Sequence, residues 1–561
     1  MSSPDWIVLC GTLAVIVGYG AWKTRGAHDM SRYLRGGNQE SWLTIGLSVM
    51  ATQASAVTFL SMPGQAYQDG MRFIQFYFGL PLATIVISVV FIPRYFQARV
   101  FTAYEFLEAR FDRKTRQLTA FLFLLQRGLS AGITIYAPSI IVSSVLGWPF
   151  RLTCLCIGAV VIVYTVIGGA RAVSQTQKQQ MVIMLAGMAA AFVVIVWRLP
   201  ADVTFGKALR VAGALGKLDA LDFSTNPNTR YTLWSGLLGG FFLSMAYFGT
   251  DQSQVQRYLG ARSIGQSRVG LLFNGLLKIP MQALILLVGV MVFVFYQYNL
   301  PPVFFNQAEL TRAKRTMAAD KIHTLEEEHA SAFLQQRNAL QRFVRSTDGA
   351  ELAASRQDLQ RAAEKNTAVR EEARQTIAAA VPGANTKDSD YIFLSFVMAN
   401  LPRGMIGLLL VVIFCAAMSA VAGELSALAS TTVVDFYRRS IRPQASDAHY
   451  VRAAQVFTAL WGALALTFAV FASLLDNLIQ AVNILGSLFY GTILGIFLLA
   501  FFTRRPGANV VCIAAVFAEA IVIAMFGATK ISFLWYNVVG CSAVVALSML
   551  LHRVTAAVGR A

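Results

Sequence analysis

Apolar residues recur in blocks of about 20 along almost the whole chain, with short polar segments between them. That length suits a helix crossing ~30 Å of hydrocarbon, where every backbone group must find its partner inside the segment. The pattern predicts an all-α membrane protein with about 13 transmembrane helices. They fall at roughly 5–22, 42–66, 74–97, 119–147, 151–168, 178–198, 231–250, 269–298, 404–436, 453–473, 477–502, 508–527 and 531–552. One segment breaks the pattern. Residues 305–390 are polar and carry thirteen basic and thirteen acidic residues, so they add nothing to the net charge. Strong helix formers run from Gln307 to Arg345 and from Glu351 to Ala380, separated by the turn and N-cap signal Ser346-Thr347-Asp348-Gly349. A sparse apolar series (Ile322, Leu325, Phe333, Leu340, Val344, Leu352, Leu359) suits the seam of an antiparallel helical hairpin. The expected organisation is membrane segments 1–304 and 391–561 around an extracytoplasmic insertion, 305–390. The insertion is either a tolerated loop or a contact point for another protein. Residues 199–230, with Asn226-Pro227-Asn228, are expected to pack as short helices over the membrane face.

Composition removes the soluble classes: 56% of residues are hydrophobic and 14% charged, with mean hydropathy +0.56. A soluble chain of this length could not bury that much apolar surface. The formal charge of +18 is topological. With the N-terminus outside and the C-terminus inside, basic residues such as Arg110, Arg113, Lys114, Arg438, Arg439, Arg504 and Arg505 collect in short cytoplasmic segments. This predicts a multi-pass protein of the cell (inner) membrane and no nucleic-acid partner. The first block lacks a basic n-region and a small-residue cleavage site, so it reads as a retained helix. All six cysteines lie in apolar blocks, the five histidines form no cluster, and no Walker-A or His-Glu-x-x-His motif occurs. Enzyme chemistry, a bound cofactor and ATP-driven pumping are therefore not expected.

Residues 36–70 read GGNQESWLTIGLSVMATQASAVTFLSMPGQAYQDG. This segment resembles the opening of the core in the sodium:solute symporter family, whose members carry sugars, proline, sialic acid, iodide and monocarboxylates. Further segments resemble the family in the same order: YEFLEARF (104–111), IYAPSI (135–140) with YTVIGGARAVSQTQ (164–177), DQSQVQRYLGAR (251–262) and AAMSAVAGELSALASTTVVDFY (416–437). The resemblance covers nearly the whole chain outside the insertion. It implies a LeuT-type core of two inverted five-helix repeats, with one extra helix before it and two after. It also implies uptake of a small polar solute (a sugar, carboxylate or similar) by alternating access. The residues agree. The block at 42–66 carries Gly46, Ser48, Thr52, Gln53, Ser55, Thr58 and Ser61 and closes on Pro63-Gly64, and polar groups at that depth must face protein or a wet cavity. Such a span is expected to be interrupted, freeing carbonyls to hold an ion or solute. The block at 231–250 has the same character five spans later, as an inverted repeat requires.

The resemblance places a sodium ion on the carbonyls of Ala51, Ala54 and Ala416 and on the hydroxyl of Ser419, hard oxygen ligands that suit a small cation. Departures follow. Ala420 stands where relatives offer a second hydroxyl, Thr176-Gln177 replaces Thr-Asp, and Ala422 and Gly423 replace a further hydroxyl pair. Most side-chain ligands for sodium are therefore missing. Glu424, one position later, is an intramembrane carboxylate. It is expected to carry coupling as a proton acceptor or a replacement cation ligand, or else to pair with a neighbouring helix.

Candidates for solute binding are Gln53, Ser55, Thr58, Tyr77, Ser244, Tyr247 and Lys278, the last matching a sugar-binding lysine of relatives. Phe59 and Phe242 are candidate gates, with packing as the alternative. Arg127 is expected to face a carboxylate, either a solute's or the protein's own. Asp251, Gln252, Gln256 and Arg257 read as an inner-gate network at a cytoplasmic helix end. The alternatives are a proton-coupled or sodium-independent transporter, and a transporter-like solute sensor. About nine residues follow the last span, and the expectation is against a sensor with an appended signalling domain. No pore-lining charge ring points to a channel.

Overall fold

Ser41 opens the first core helix by accepting a hydrogen bond from the Thr44 N–H, and Trp42–Gln53 (α2) follows. The chain ahead of it holds Ser3–Lys23 (α1). α2 stops at Gln53, the chain turns through Ala54 and Ser55, and Ala56–Asp69 (α3) resumes. The interruption expected in this block is present, but it lies at Ala54-Ser55. Pro63 and Gly64 sit inside α3 instead of ending the helix. Gly64 is needed there because a Cβ would collide with the Ser389 carbonyl. The computed structural model describes residues 2–23, 33–34, 39–346, 349–384, 386, 388–471 and 478–558. Residues 36–38 of the first motif, Thr347 and Asp348 of the expected turn, and 472–473 and 477 of two expected spans lie outside the described residues.

The long helices that follow are Arg113–Leu146 (α4), capped by Asp112, and Phe150–Trp197 (α5). α5 joins two expected spans across a turn at Gly169, whose φ of 57° is open to glycine and where a Cβ would meet the Tyr33 ring. Gly240–Thr250 (α6), Gln252–Leu259 (α7) and Ile264–Tyr298 (α8) come next. The insertion contributes Ala319–Arg345 (α9) and Gly349–Ala380 (α10), and Ser389–Asn400 (α11) leads into Met405–Thr431 (α12). After Asp447–Phe471 the chain ends in Leu478–Phe502 (α13), Ala508–Ala528 (α14) and Leu534–Val558 (α15). Among the described residues, ten helices are long and apolar enough to cross a membrane, fewer than the sequence pattern suggests. The blocks at 42–66 and 231–250 fall short because they are broken or brief. No strand occurs among the described residues beyond an isolated Glu40–Ala261 bridge. α12 lies at the centre, packed on α2, α3, α4 and α5.

The insertion folds back on itself. Ile322 and Leu325 of α9 cluster with Ala373 and Ile377 of α10, while Leu340 and Phe343 meet Leu359 and the Phe205–Ala214 helix. Both ends of the pairing agree with two antiparallel helices. A buried polar chain ties the pair to α8: Gln336 donates to Gln297 Oε1, Asn366 donates to Gln336 Oε1 at 2.7 Å, and His329 lies 2.6 Å from Asn366 Oδ1 and 2.9 Å from the Pro301 carbonyl. Burial holds the His329 imidazole below its ordinary pKa. Both ring nitrogens face oxygen acceptors, and the neutral ring has one N–H to donate to one of them. A histidine whose pKa is lowered by folding adds stability fully above its unfolded value of about 6.5, and that stability is lost as pH falls toward the lowered one. Hydrogen exchange should therefore show α9 and α10 losing protection on acidification below about pH 6.5. His329→Leu should be less protected by about 1–3 kcal/mol at neutral pH and lose that pH dependence.

Candidate functional site

Two helix breaks border one cavity. At the first, Ala54 leaves helical geometry (ψ 74°) and Ser55 is extended, so the last carbonyls of α2 and the first N–H groups of α3 lose intrahelical partners. At the second, α6 ends at Asp251 (ψ 120°), whose carboxylate caps α7 by accepting from the Ser253 N–H at 2.8 Å and hydroxyl at 2.6 Å. Helix ends that meet inside a bundle present partial charges of both signs to whatever sits between them. The cavity is lined by Thr52, Gln53, Ser55 and Thr58 at the first break, by Tyr247 on α6, and by Tyr77, Gln126, Arg127, Glu424, Asn483 and Tyr490. Gln53 Oε1 and Gln126 Oε1 are buried with no hydrogen-bond partner.

Arg127 joins the second break to α12. Its guanidinium pairs with Asp251, donates to Glu424 Oε1 at 3.0 Å and to the Tyr490 hydroxyl at 2.5 Å, and lies 5.4 Å from the Tyr247 ring centre. Tyr490 donates in turn to Asp251 at 3.0 Å. Arg127, Asp251 and Glu424 are at most 5% exposed. The cluster holds one guanidinium and two carboxylates, so with all three ionised it keeps one unbalanced negative charge. Glu424 Oε2 is left without a partner. Asp251 therefore ends α6 in contact with Arg127 and Tyr490 of the cavity lining, and Arg257, which the sequence pattern groups with it at a helix end, lies on α7. Asn483 and Tyr490 escaped the sequence reading because none of the segments compared there falls on α13. An aromatic hydroxyl in an apolar block was the only signal.

Two of the expected sodium ligands bond each other: Ser419 donates to the Ala51 carbonyl at 2.8 Å. Gln177 donates to the Ser419 carbonyl at 2.8 Å and to Thr52 Oγ1 at 3.0 Å, and accepts from Ser48 at 2.5 Å. Ala54 is at the break itself, and Ala416 is buried on α12. Arg257 is 2% exposed and donates to Ser174 at 3.1 Å, while its Nε and Nη2 have no partner. A Cβ on Gly423 would lie 3.3 Å from that Nη2 and 3.4 Å from Gln177 Nε2. A fixed guanidinium thus stands against the position that offers a hydroxyl in relatives.

Other candidates spread out. Lys278 is 1% exposed, does not line the cavity, and holds its ammonium 6.0 Å from the centre of the Tyr77 ring, which does. No carboxylate pairs with it among the described residues. Ser244 is buried on α6 away from the lining. Phe59 packs in an apolar pocket with Phe393, Val397 and Ile413, and Phe242 meets Phe241. Neither phenylalanine lines the cavity, so the packing alternative describes where both lie. At the end nearer the insertion, Gln480 donates to Gln65 at 3.4 Å and Arg230 donates to Gln480. At the other end, Gln256 donates to the Leu34 carbonyl at 2.5 Å and to Ser430 at 3.0 Å.

Removing one partner of a buried ion pair leaves the other charge uncompensated. Arg127→Gln should cost about 3–5 kcal/mol in thermal unfolding of the purified protein. Adding Glu424→Gln should restore part of that loss. Strictly additive effects in this double-mutant cycle would contradict the shared cluster.

A family model described as the sodium:solute symporter family matches residues 33–319 and 371–530. The unmatched interval covers most of α9 and the first two-thirds of α10. The human (Homo sapiens) sodium/iodide cotransporter is 32% identical over 297 residues, which cover 52% of this chain and 45% of that protein. Sodium-coupled monocarboxylate transporter 1 of Xenopus laevis is 33% identical over 261 residues, 46% of this chain and 42% of that protein. The match thus spans less than half the length of these relatives. Among solved structures, a Na+-coupled sialic acid symporter in a substrate-bound, outward-open state has the same fold, with a TM-score of 0.76, 21% identity, and coverage of 99% of this chain and 98% of that one. The chain is a multi-pass membrane protein that belongs to the sodium:solute symporter family.

Proposed function

We propose that this protein is a secondary active transporter that moves a small anionic solute together with a monovalent cation through the cavity at the two helix breaks. The observation that carries the reading is the Arg127–Asp251–Glu424 cluster, whose Arg127 and Glu424 line that cavity and which keeps one negative charge left over and Glu424 Oε2 free. A buried net charge is costly until a counter-ion reaches it. Filling the site with a cation lowers the cost of admitting an anion beside it, which is the coupling a symporter needs. Relatives named for iodide and monocarboxylate, and a structural neighbour that is a sialic acid symporter, suggest the anion class. Lys278, buried behind Tyr77 with no carboxylate partner, is the residue we assign to attract it. Gln53, Ser55, Thr58 and Tyr77 would hold its polar groups. Gln65 with Gln480, and Gln256 with Arg257, would serve as the two gates of alternating access.

Family membership favours sodium as the cation, on Ala51, Ala54, Ala416 and Ser419. A second reading, proton coupling at Glu424, is favoured by the Gln177 amide. It satisfies Thr52 and Ser419 with hydrogen bonds where an ion would draw on their oxygens. Arg257 adds a fixed positive charge beside Gly423, against a second sodium there.

Proteoliposomes offered labelled iodide, pyruvate and sialic acid under a sodium gradient or a pH gradient separate these readings. Uptake of at least one anion should follow one gradient and not the other. Glu424→Gln should abolish dependence on a pH gradient, and leave sodium dependence standing if sodium is the driver. Lys278→Met should raise the half-saturating anion concentration about 10-fold, as loss of a through-space attraction of ~1–2 kcal/mol at an effective dielectric near 20 implies. Uptake of no anion, or uptake blind to both gradients, would sink the proposal.

A further inference from the structure

A second buried carboxylate lies outside this cavity. Glu519 is on α14, 8% exposed, and both of its oxygens lack a hydrogen-bond partner. α14 packs against α15, α13 and α4. The polar side chain that faces Glu519 is Thr492 of α13, whose hydroxyl is also unsatisfied. On α15, Asn537 spends its Nδ2 on Ser487 (3.0 Å) and the Leu534 carbonyl (3.3 Å), which fixes the amide and leaves Oδ1 without a partner. Glycines bring the three helices into contact at this level. A Cβ on Gly491 would strike the Asn537 carbonyl, and one on Gly540 would lie 3.2 Å from both the Thr492 nitrogen and Val522 of α14, one turn beyond Glu519.

We propose that this seam is a second monovalent-cation site, with Glu519 as its anionic ligand and Thr492 and Asn537 as its neutral oxygens. Thr492 has one proton to turn to Glu519, so a second carboxylate oxygen and the Asn537 amide oxygen remain acceptors that no donor meets among the described residues. Such a set calls for a cation, a proton or a sodium ion, because an ionised carboxylate held among apolar helices is otherwise uncompensated. No neighbouring charge supplies it. Arg116 and Arg127 of α4 are engaged by Glu108 and Asp435 and by Asp251 and Glu424, and Tyr490 of α13 is bound to Asp251. Cys512 on α14 itself meets Thr115, Cys541 of α15 is a buried free thiol, and His552 and Arg553 sit near the far end of α15, part-exposed and exposed. α13 turns Tyr490 to the cavity cluster and Thr492 to Glu519, so one helix touches both sites.

The test uses the full-length protein in nanodiscs without any solute, so its failure is distinct from failure of the transport reading. Bound radiosodium and the infrared carboxylic-acid band, followed from acid to alkaline pH, are compared in wild type, Glu519→Gln, Thr492→Val and Glu424→Gln. Loss of one bound sodium per chain in Glu519→Gln, retained in Glu424→Gln, identifies a sodium site. Unchanged sodium with loss of a titrating carboxylic-acid band in Glu519→Gln identifies a proton site. Thr492→Val should weaken whichever cation binds by about 10-fold, as loss of one neutral hydrogen bond or ligand implies. The proposal is overturned if neither sodium stoichiometry nor the titrating band differs between Glu519→Gln and wild type.

Discussion

One guanidinium must hold two carboxylates, and much of the core is arranged around that requirement. Arg127 comes from α4, Asp251 from the break between α6 and α7, and Glu424 from α12. None of the three could remain ionised alone at that burial, since an isolated charge in a low-dielectric interior costs several kcal/mol. Together they fix the angle at which the broken helix meets the continuous one, and Tyr490 extends the same tie to α13. The break at Asp251 is therefore stabilised by the ion pair as well as by its own capping of α7. Because the carboxylates outnumber the guanidinium, the cluster is also left with an affinity for positive charge. A structural necessity and a binding property come from the same three side chains.

The first break is held differently. At Ala54-Ser55 hydrogen bonds from Gln177 and Ser419, and not an ion pair, tie α2 to α5 and α12 among the described residues. In the family pattern an ion bridges these elements. Here a side-chain amide with two donors and one acceptor does much of that bridging within the chain. An amide is fixed by its backbone and cannot leave, so the contact between α2 and α12 no longer depends on occupancy by an ion. Ala420, Ala422 and Gly423 stand where the family pattern has hydroxyls, and Glu424 follows one position later. That exchange is the chief way the sequence departs from the pattern it otherwise follows.

How far the sequence could be read depends on the physics each feature obeys. Span positions were legible because hydrocarbon imposes a length and excludes polar groups, and α14 matches its expected block within one residue while α4, α8 and α12 differ from theirs by up to six at one end. A break in 42–66 was legible from its hydroxyls, but its position was not. Pro63-Gly64 are the usual breakers, yet here they lie within a helix whose close contact with Ser389 requires the glycine. The seam of the insertion followed from apolar spacing, and Ile322, Leu325, Leu340 and Leu359 are buried in it. Which carboxylates Arg127 meets, and that Phe59 turns away from the cavity, depend on helix rotation and long-range contact. Neither leaves a trace in local pattern.

The insertion raises a mechanical question that its attachment answers in part. It enters between α8 and α11, and its anchors fall on the end of α8 (Gln297), on the loop after it (Pro301, Val303) and on Asp388 just before α11. Tyr67, near the end of α3, packs edge-on against Phe293 and Phe305 at 5.3 and 5.7 Å. Any tilt of α3 away from α12 that opens the cavity on this side must therefore either shear that aromatic contact or carry α8 and the hairpin with it. Close-packed aromatic contacts resist sliding, and the polar chain through Gln336, Asn366 and His329 would be left with buried unsatisfied groups if it tore. The cheaper motion keeps α3, α8 and the hairpin together as one body. If the alternating access proposed for this chain pivots at Ala54-Ser55, where the backbone is already out of helical geometry, the insertion would travel with α3 and α8.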